Sequence, residues 1–353
     1  MKFFPLAGAL LIGAWMSAWA DDGNPLSDPL KPLPEEKHFA SLRQLSFGGI
    51  NAEAYFSPDG KRLIFQAQRE GDKADQVYAL DVETGKTERL SRGDGRCTCA
   101  WYLADGRYLF SSTHHHGVEP PALPDRSKGY VWPLYATYDI FLADPKTGAL
   151  TQLTDNDGYD AEATGSPDGK RIVFTSHREK GIWLYTMRLD GTDLRRVEHR
   201  WGYVGGPVYS PDGEWLVYRA YYPANEERSN HLASMLEERV LRPKGMDLEI
   251  YVARPDGSEE RAVTKNGKIN FAPAFHPDGK RIVYSSNLDA GHPGQYSLYL
   301  IGSDGQGMER VSFHGGFDGF PCFSPDGKRL AFISDRNSKP HELNVFVAEW
   351  KDP

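Results

Sequence analysis

The apolar positions of this chain fall into short runs separated by polar turns, and one run-and-turn unit recurs six times. The turn reads Ser-Pro-Asp-Gly at 57–60, 166–169, 210–213 and 324–327, with variants at 103–106 and 276–279. Apolar runs rich in β-branched and aromatic residues follow the turns, as at 62–65 and 329–332, and predict strands. Proline presets φ at the second position of a type I turn and glycine suits the fourth, so the aspartates of these turns are predicted to be structural.

Successive turns lie 46, 63, 44, 66 and 48 residues apart, which indicates a shared period near 46 with insertions in two intervals. A third strand and a short fourth strand follow in five repeats, but the sixth repeat lacks its fourth strand. Segment 43–46, ahead of the first repeat, has the missing pattern. We therefore expect an all-β, six-bladed β-propeller with four antiparallel strands per blade, whose last blade is closed by an N-terminal strand at about 40–47.

The N-terminal residues have the pattern of a secretory signal, predicted at 1–20: Lys2, an apolar core and small residues ending at Ala20. A proline-rich extended arm at 21–39 and the propeller at 40–353 are expected to follow. A membrane anchor is the alternative, but the apolar stretch is short for a bilayer span and no cysteine follows it to carry a lipid. The sequence thus predicts a periplasmic or secreted protein without a membrane span after cleavage.

Two insertions, at 113–137 and 221–246, fall between the second and third strands of blades 2 and 4. Strand order places both on one face of the propeller, where long loops commonly carry binding sites. The second insertion predicts a helix, with Asn225 as its cap, apolar Leu232, Met235, Leu236 and Val240, and a stop at Arg242-Pro243. The first is rich in proline and aromatic residues and is expected to be irregular.

The charge of the chain limits the kinds of partner it can bind, and its cysteine content bears on the state of its thiols. Removal of Lys2 with the signal leaves 40 basic against 49 acidic residues, which argues against a nucleic-acid partner. The chain has three cysteines, Cys97, Cys99 and Cys322, an odd number for an oxidising compartment. On one strand Cys97 and Cys99 would be roughly 6.5–7 Å apart, at the upper limit for a disulfide. A strained bridge, a soft metal pair and buried free thiols are all open, and buried thiols are favoured.

Polar residues recur six and four positions before the turns, where each inner strand begins. These positions include Asn51, Glu53, Asp160, Glu162, Asn270 and Asp318. Because the inner strands of a propeller line its channel, they predict a net acidic ring. Carboxylates brought close together repel, so a cation or a basic ligand group is a natural partner, and ordinary hydration of a wide channel is the alternative.

Two weaker metal patterns involve the same region. Asp155, Asp157, Asp160 and Glu162 surround Gly158 as in a calcium loop, although they do not match the twelve-residue form. His114 and His177 follow the second strands of adjacent blades, so a zinc or manganese site with a nearby carboxylate is a further hypothesis. A serine-hydrolase elbow is not found, because the candidate at 165–169 has Pro167 at its centre and is a blade turn.

The repeat Phe-Ser-Pro-Asp-Gly-Lys-Arg-Leu-(Ile/Ala)-Phe, at 56–65 and 323–332, resembles the repeats of the TolB-like propeller family. The resemblance covers roughly 40–350. It implies a propeller but not one function, since the family includes the periplasmic TolB protein, which binds a peptidoglycan-associated lipoprotein over its channel mouth, peptidase-attached propellers, and oligogalacturonate lyases with a histidine-rich metal site. TolB has a separate α/β domain before its propeller, and a peptidase would need a hydrolase domain after it; neither pattern is found here.

Two hypotheses follow. The first is an exported propeller that binds an envelope protein, peptide or glycan at the loop face, with or without a bound cation. Its candidate ligand-binding residues are Asn51, Glu53, His114, Asp160, Glu162, His177, Asn270 and Asp318. The second is a metal-dependent lyase or hydrolase with His114 and His177 as ligands and a carboxylate base. The sequence favours binding, because the spacing of every possible catalytic group can be explained by turn chemistry. Neither hypothesis requires a particular cofactor, and the candidate metal ions are calcium or a transition metal.

Overall fold

Each repeat folds into a four-stranded antiparallel sheet, and six such sheets form the blades of a propeller. The computed structural model describes residues 28–125, 127 and 129–352. The inner strand of every blade contacts the inner strands of both neighbouring blades, so the ring is closed. The six-bladed architecture predicted from the turn spacing is therefore confirmed. The predicted signal peptide at 1–20 and the first part of the arm lie outside the described residues.

The strands follow the repeats in chain order. The N-terminal strand is β1 (Phe39–Gln44); blade 1 contains β2 (Asn51–Phe56), β3 (Arg62–Ala67), β4 (Gln76–Asp81) and β5 (Thr87–Arg89); blade 2 contains β6 (Cys97–Tyr102), β7 (Tyr108–Ser112), β9 (Asp139–Ala143) and β10 (Leu150–Gln152), with a 3-10 turn (His114–His116) and β8 (Trp132–Pro133) in its insertion. Blade 3 contains β11 (Asp160–Gly165), β12 (Arg171–Arg178), β13 (Gly181–Arg188) and β14 (Arg195–Arg196). Blade 4 contains β15 (Tyr203–Tyr209), β16 (Leu216–Tyr221), β18 (Glu249–Ala253) and β19 (Arg261–Ala262), with α1 (Glu226–Glu237) and β17 (Val240–Leu241) in its insertion. Blade 5 contains β20 (Asn270–Phe275), β21 (Arg281–Ser286), β22 (Ser297–Gly302) and β23 (Glu309–Arg310), and blade 6 contains β24 (Asp318–Phe323), β25 (Arg329–Ser334) and β26 (Asn344–Trp350).

The N-terminal strand completes the last blade. β1 pairs antiparallel with β26, from Phe39 opposite Trp350 to Gln44 opposite Phe346. This confirms the closing strand predicted at about 40–47. The segment before it also docks: Glu36, which is 2% exposed, accepts a hydrogen bond from Arg336 at 2.9 Å, and Arg336 also binds Asp318 of blade 6 at 2.7 Å.

The Ser-Pro-Asp-Gly turns are built by local hydrogen bonds. In the first turn Ser57 Oγ donates to Asp59 Oδ1 at 2.6 Å, and the amide of Gly60 donates to the Ser57 carbonyl at 2.8 Å. The hydroxyl of Ser57 then accepts from the amide of Arg62, the first residue of the next strand, at 3.0 Å. The aspartates of these turns are therefore structural, as predicted.

Each inner strand carries a β-bulge at the same position, four residues before the turn. The six bulge residues all have left-handed backbone angles, with φ between 48° and 60°: Glu53, Cys99, Glu162, Gly206, Ala272 and Phe320. In β2, for example, the pairing steps from Ala52 opposite Gln66 to Tyr55 opposite Ile64, so two residues face one. A bulge interrupts the two-residue alternation of side chains, and all six inner strands break it at the same depth in the channel.

Neighbouring blades hydrogen-bond to several of these bulges. The amide of Cys99 donates to Gln66 Oε1 of blade 1 at 2.8 Å, and that of Gly206 donates to Glu162 Oε2 of blade 3 at 2.9 Å. The amide of Phe320 donates to Ser285 Oγ of blade 5 at 3.1 Å. The bulge leaves each of these amides without a partner in its own sheet. A side chain of the preceding blade accepts the hydrogen bond, and this contact ties adjacent blades together.

The two insertions pair with each other. β8 from blade 2 and β17 from blade 4 form a two-stranded antiparallel sheet, with Trp132 opposite Leu241. The predicted helix is confirmed as α1, and Asn225 caps it by accepting a hydrogen bond from the amide of Arg228 at 2.9 Å. The predicted end of the helix is wrong: α1 ends at Glu237, and Val240 lies in β17, where it pairs with β8. Because blade 3 stands between blades 2 and 4, the paired insertions span the end of blade 3. Over the described ranges, no helix is long and apolar enough to cross a membrane.

The bulge geometry predicts that two alanines of β20 differ in how their replacement by glycine changes the free energy of unfolding. The left-handed conformation of Ala272 costs an L-residue about 1–2 kcal/mol, so Ala272→Gly is expected to leave the free energy of unfolding unchanged or raise it by about 1 kcal/mol. Ala274→Gly, at a buried position of the same strand outside the left-handed region, should lower it by about 1–2 kcal/mol. Urea denaturation of both variants measures the difference, and equal losses would contradict the strain assigned to the bulge.

Candidate ligand site at the channel mouth

Three bulge residues from consecutive blades bring polar side chains together in the channel. Glu53 of blade 1, Cys99 of blade 2 and Glu162 of blade 3 occupy equivalent positions, and their electrostatic coupling places them close to one another. Glu53 and Glu162 are half-buried, and Cys99 is buried. Of the residues predicted to form an acidic ring, Glu53 and Glu162 occupy bulge positions on blades 1 and 3.

Glu162 is fully engaged by its surroundings. It forms an ion pair with Arg219 of β16, which is itself 8% exposed, and accepts hydrogen bonds from Thr175 Oγ1 at 2.8 Å and the amide of Gly206 at 2.9 Å. Burial alone would raise the pKa of Glu162, but Arg219 and the two hydrogen bonds outweigh burial and hold this pKa below its usual value. Glu162 is therefore an ionised carboxylate whose charge is already neutralised.

Two glycines of β15 make room for this ion pair. A Cβ atom on Gly206 would lie 2.3 Å from Arg219 Nη1, and one on Gly205 would lie 2.7 Å from Glu162 Oε2. Both distances are shorter than side-chain contacts allow, so the arginine occupies the space that a side chain of blade 4 would fill. Arg219 Nε also donates to the hydroxyl of Tyr203 at 2.8 Å, which fixes the guanidinium.

The first insertion lies directly over this ion pair. Trp132 of β8 has its ring 5.1 Å from the guanidinium of Arg219, a cation–π contact, and packs against Tyr203 at 6.2 Å. Tyr130 contacts Trp132 edge-on at 6.3 Å and is 63% exposed. Burial raises the pKa of Tyr296 in blade 5, and Tyr130 adds to that increase.

Glu53 differs from Glu162 because it forms no ion pair among the described residues. Cys99 occupies the next bulge position, and its thiol lies 3.2 Å from Thr98 Oγ1. Burial and the charge of Glu162 raise the pKa of Glu53 to about 7, while the interaction with Cys99 acts in the opposite direction. Cys97, Cys99 and Cys322 are all free and buried, and burial raises the pKa of the Cys99 thiol well above its usual value. The Glu53 carboxyl is thus the unneutralised acid of the channel.

The opposite side of the channel is apolar. Phe320 of blade 6 and Ala272 of blade 5 occupy the bulge positions there. Phe320 contacts Phe271 at 5.3 Å and Phe317 at 6.3 Å between ring centroids. A ligand in the channel therefore meets acidic groups on blades 1 to 3 and aromatic rings on blades 5 and 6.

The other predicted ring residues are buried and bind neighbouring groups within or between blades. Asn51, Asp160, Asn270 and Asp318 are 0–1% exposed. Asn51 Nδ2 donates to the Leu343 carbonyl of blade 6 at 2.7 Å, and Asn270 Nδ2 donates to the Leu248 carbonyl of blade 4 at 2.8 Å. Asp160 pairs with Arg178 at 2.8 Å, and Asp318 pairs with Arg336. The bulge explains this arrangement. The bulge residue, which lies two positions after each of these four residues, faces the channel in their place.

The predicted metal ligands bind other groups. Asp160 and Glu162 pair with two different arginines, and Asp157, whose side chain is 93% exposed, lies 3.7 Å from a third, Arg239. His114 bonds to Ser112 Oγ at 2.8 Å and packs on Phe141, and burial lowers its pKa to about 4. Burial also lowers the pKa of His177. Within 28–125, 127 and 129–352, no three His, Cys, Asp or Glu side chains form a group that could hold a metal ion.

Sequence reasoning missed Arg219, Tyr203 and Trp132. The one signal in the sequence was the pair Gly205-Gly206, which stands at the bulge position where other blades carry side chains. A glycine pair in an inner strand indicates that another group needs the space.

Comparisons with known proteins agree with this architecture. A family model described as the TolB beta propeller domain matches residues 244–349. The chain is a six-bladed β-propeller that is similar to the TolB propeller domain over this segment. It is 27% identical over 179 residues to an uncharacterized protein of Agrobacterium fabrum, covering 48% of this chain and 54% of that protein. It is 24% identical over 210 residues to the Tol-Pal system protein TolB of Wolinella succinogenes, covering 59% and 41%. These matches span about half or less of the relatives' lengths.

Solved structures with the same fold differ in function. The TolB-like propeller has a TM-score of 0.58 with TolB from Acinetobacter baumannii, at 16% identity over 86% of this chain and 67% of that one. It has a TM-score of 0.57 with a gluconolactonase from Xanthomonas campestris, at 14% identity over 95% and 97%. At these identities the likeness shows the fold alone, so function has to be argued from the residues at the site.

Glu53 predicts a pH dependence of stability for this TolB-like propeller. Because its pKa rises from 4.5 in the unfolded chain to about 7 when folded, the folded state holds the extra proton, and stability falls as pH rises through this window. Glu53→Gln should therefore have similar stability at pH 5 and be more stable than wild type at pH 8, by roughly 1–3 kcal/mol. Urea denaturation from pH 5 to 8 measures this. The exposed Glu70→Gln is the control, and parallel pH profiles for wild type and Glu53→Gln would contradict the shift.

Proposed function

We propose that this chain is an exported binding propeller whose protein or peptide partner docks on the paired insertions and places a basic group beside Glu53. The observation that carries the proposal is the contrast between the two channel glutamates. Glu162 is neutralised by Arg219, whereas Glu53 makes no ion pair within the described part of the chain. An ammonium or guanidinium group from a partner would neutralise Glu53 and relieve its repulsion with Glu162.

The surroundings of Glu53 favour a side chain from a peptide over a simple cation. Lysine and arginine have long apolar stems, and the aromatic group around Phe271, Phe317 and Phe320 offers such a stem an apolar wall. Tyr130 at the mouth is exposed and adds the kind of aromatic surface that is common in protein interfaces. Similarity to a Tol-Pal system protein supports a protein partner.

The alternative, a metal-dependent lyase or hydrolase, has less support. His114 bonds to Ser112 and stacks on Phe141, and His116 pairs with Asp139 at 3.1 Å, so neighbouring histidines take different partners. Similarity to a gluconolactonase extends to the fold and assigns no residue. We therefore place recognition, and not catalysis, at the channel mouth.

Selection of peptides against the purified protein tests the binding proposal. A random peptide library panned on wild type should enrich lysine- or arginine-containing peptides, because Glu53 attracts a cationic group. Glu53→Gln should weaken binding of the enriched peptides at least about tenfold, as expected for the loss of a charge-assisted hydrogen bond. Affinity for wild type should also fall as pH drops from 8 to 5, since protonation of Glu53 removes its charge.

Glu70→Gln, which changes an exposed glutamate, is the matched control and should retain binding. Enrichment of peptides without basic residues, or equal affinity for Glu53→Gln and wild type, would contradict the assignment of Glu53. Calcium competing stoichiometrically with the peptides for wild type alone would instead identify a metal ion as the natural ligand of this carboxyl.

Export is tested separately by a fusion of alkaline phosphatase to the C-terminus of the full chain. This reporter is active only after it leaves the cytoplasm, so an intact signal at 1–20 should give activity. Replacement of apolar Leu10 and Leu11 by arginine should abolish it, because charges in the apolar core prevent translocation. Equal activity of the two fusions would refute export through this segment.

A further inference from the structure

A second cavity lies between the two insertions and is separate from the Glu53 group. Its volume is about 460 Å³. Much of its wall is apolar, including Pro121, Pro124 and Leu134 from the first insertion and Val240 from the second. Thr137 and Arg239 also line it. A cavity of this size, largely apolar with a few polar groups, has the usual composition of a small-molecule site.

Two polar atoms of this cavity are buried without a partner. Thr137 Oγ1 and Arg239 Nη1 have no hydrogen bond in the part of the chain that the structure describes. An unsatisfied buried donor costs about 1–3 kcal/mol, and more for a charged group. Arg239 Nη2 lies 3.7 Å from Asp157 Oδ1, too far for a hydrogen bond, and this carboxylate is in solvent. The protein thus supplies no close carboxylate partner for Arg239, whose side chain is 41% exposed and reaches solvent with the rest of its guanidinium.

The acidic groups around the cavity already have partners. Glu119 pairs with Lys73, Glu238 accepts a hydrogen bond from Arg242 at 2.8 Å, and buried Asp139 pairs with His116. Arg239 and Thr137 can therefore still donate hydrogen bonds to a ligand, whereas the nearby carboxylates already bind protein groups. The carboxylates also limit the net positive charge of the cavity, which suits a monoanion better than a doubly charged phosphate.

The backbone holds Arg239 in a constrained position. It follows α1 with a left-handed φ of 54°, its amide donates to the Leu236 carbonyl at 3.0 Å, and its carbonyl accepts from the Leu134 amide at 2.8 Å. Both insertions therefore fix the start of this side chain. A non-glycine residue in the left-handed region is an uncommon conformation that often occurs at ligand sites.

We propose that this inter-insertion cavity binds a small carboxylic acid with an apolar body. Because both atoms are buried in this structure, binding includes a rotation of the two side chains that turns Arg239 Nη1 and Thr137 Oγ1 toward the carboxylate. The apolar body packs against the prolines, Leu134 and Val240. This site is independent of the basic group proposed for Glu53, because it uses different residues and the opposite charge.

Benzoate is the probe, and benzamide, which has the same shape without the charge, is the ligand control. Isothermal titration calorimetry on the full chain should show saturable benzoate binding, with benzamide at least about tenfold weaker. Arg239→Gln should weaken benzoate binding at least about tenfold, and the nearly isosteric Thr137→Val by about three- to tenfold. Arg195→Gln, which changes an exposed arginine of β14 outside the cavity, should leave affinity unchanged.

Thermal unfolding of each variant shows whether it folds, and Thr137→Val keeps the test valid if Arg239→Gln is unstable. The proposal is overturned if benzoate shows no saturable binding or if benzamide binds equally well, which would mean a purely apolar cavity. It is also overturned if folded Arg239→Gln and Thr137→Val both retain wild-type affinity.

Discussion

The pairing of β1 with β26 is the constraint on which the ring depends. A propeller is stable only when each blade contacts two neighbours, and here the last blade obtains its fourth strand from the opposite end of the chain. The ion pairs of Arg336 with Glu36 and Asp318 strengthen this junction in a buried setting, where leaving one charge unpaired would be costly. The closure also sets blade 1 against blade 6, where β2 contacts β24, so the strand that carries Glu53 packs on the blade that the N-terminal strand completes.

Within this ring, the inner-strand bulges separate structural from functional positions. Residues before the bulge hydrogen-bond to neighbouring blades, as Asn51 and Asn270 do. Bulge residues are freed from the ladder and present their side chains to the channel. The same backbone geometry therefore places a carboxyl group in blade 1, a thiol in blade 2 and a phenyl ring in blade 6 at one depth. Chemical differences between the sides of the channel come from five side chains and one glycine on a common backbone frame.

Sequence could predict the blades, the closing strand, α1 and its cap Asn225, because each rests on local turn chemistry or on periodicity. It could also identify Glu53 and Glu162 by counting back from the turns. It could not separate these two from Asn51 and Asp160, since regular alternation puts all four on one face and only the bulge divides them. Of the six bulge residues, Gly206 alone is a glycine, so the left-handed geometry has little signature in the sequence. Arg219 reaches Glu162 from another blade, and such a contact depends on the closed ring.

The pairing of β8 with β17 has a consequence for how this protein varies between species. The two insertions are separate in sequence, yet each supplies one strand of the same short sheet across blade 3. Lengthening or shortening one of them would shift its register against the other and move Trp132 away from Arg219. We expect the two segments to change together in length and composition, as the two halves of a subunit interface do, although one chain encodes both.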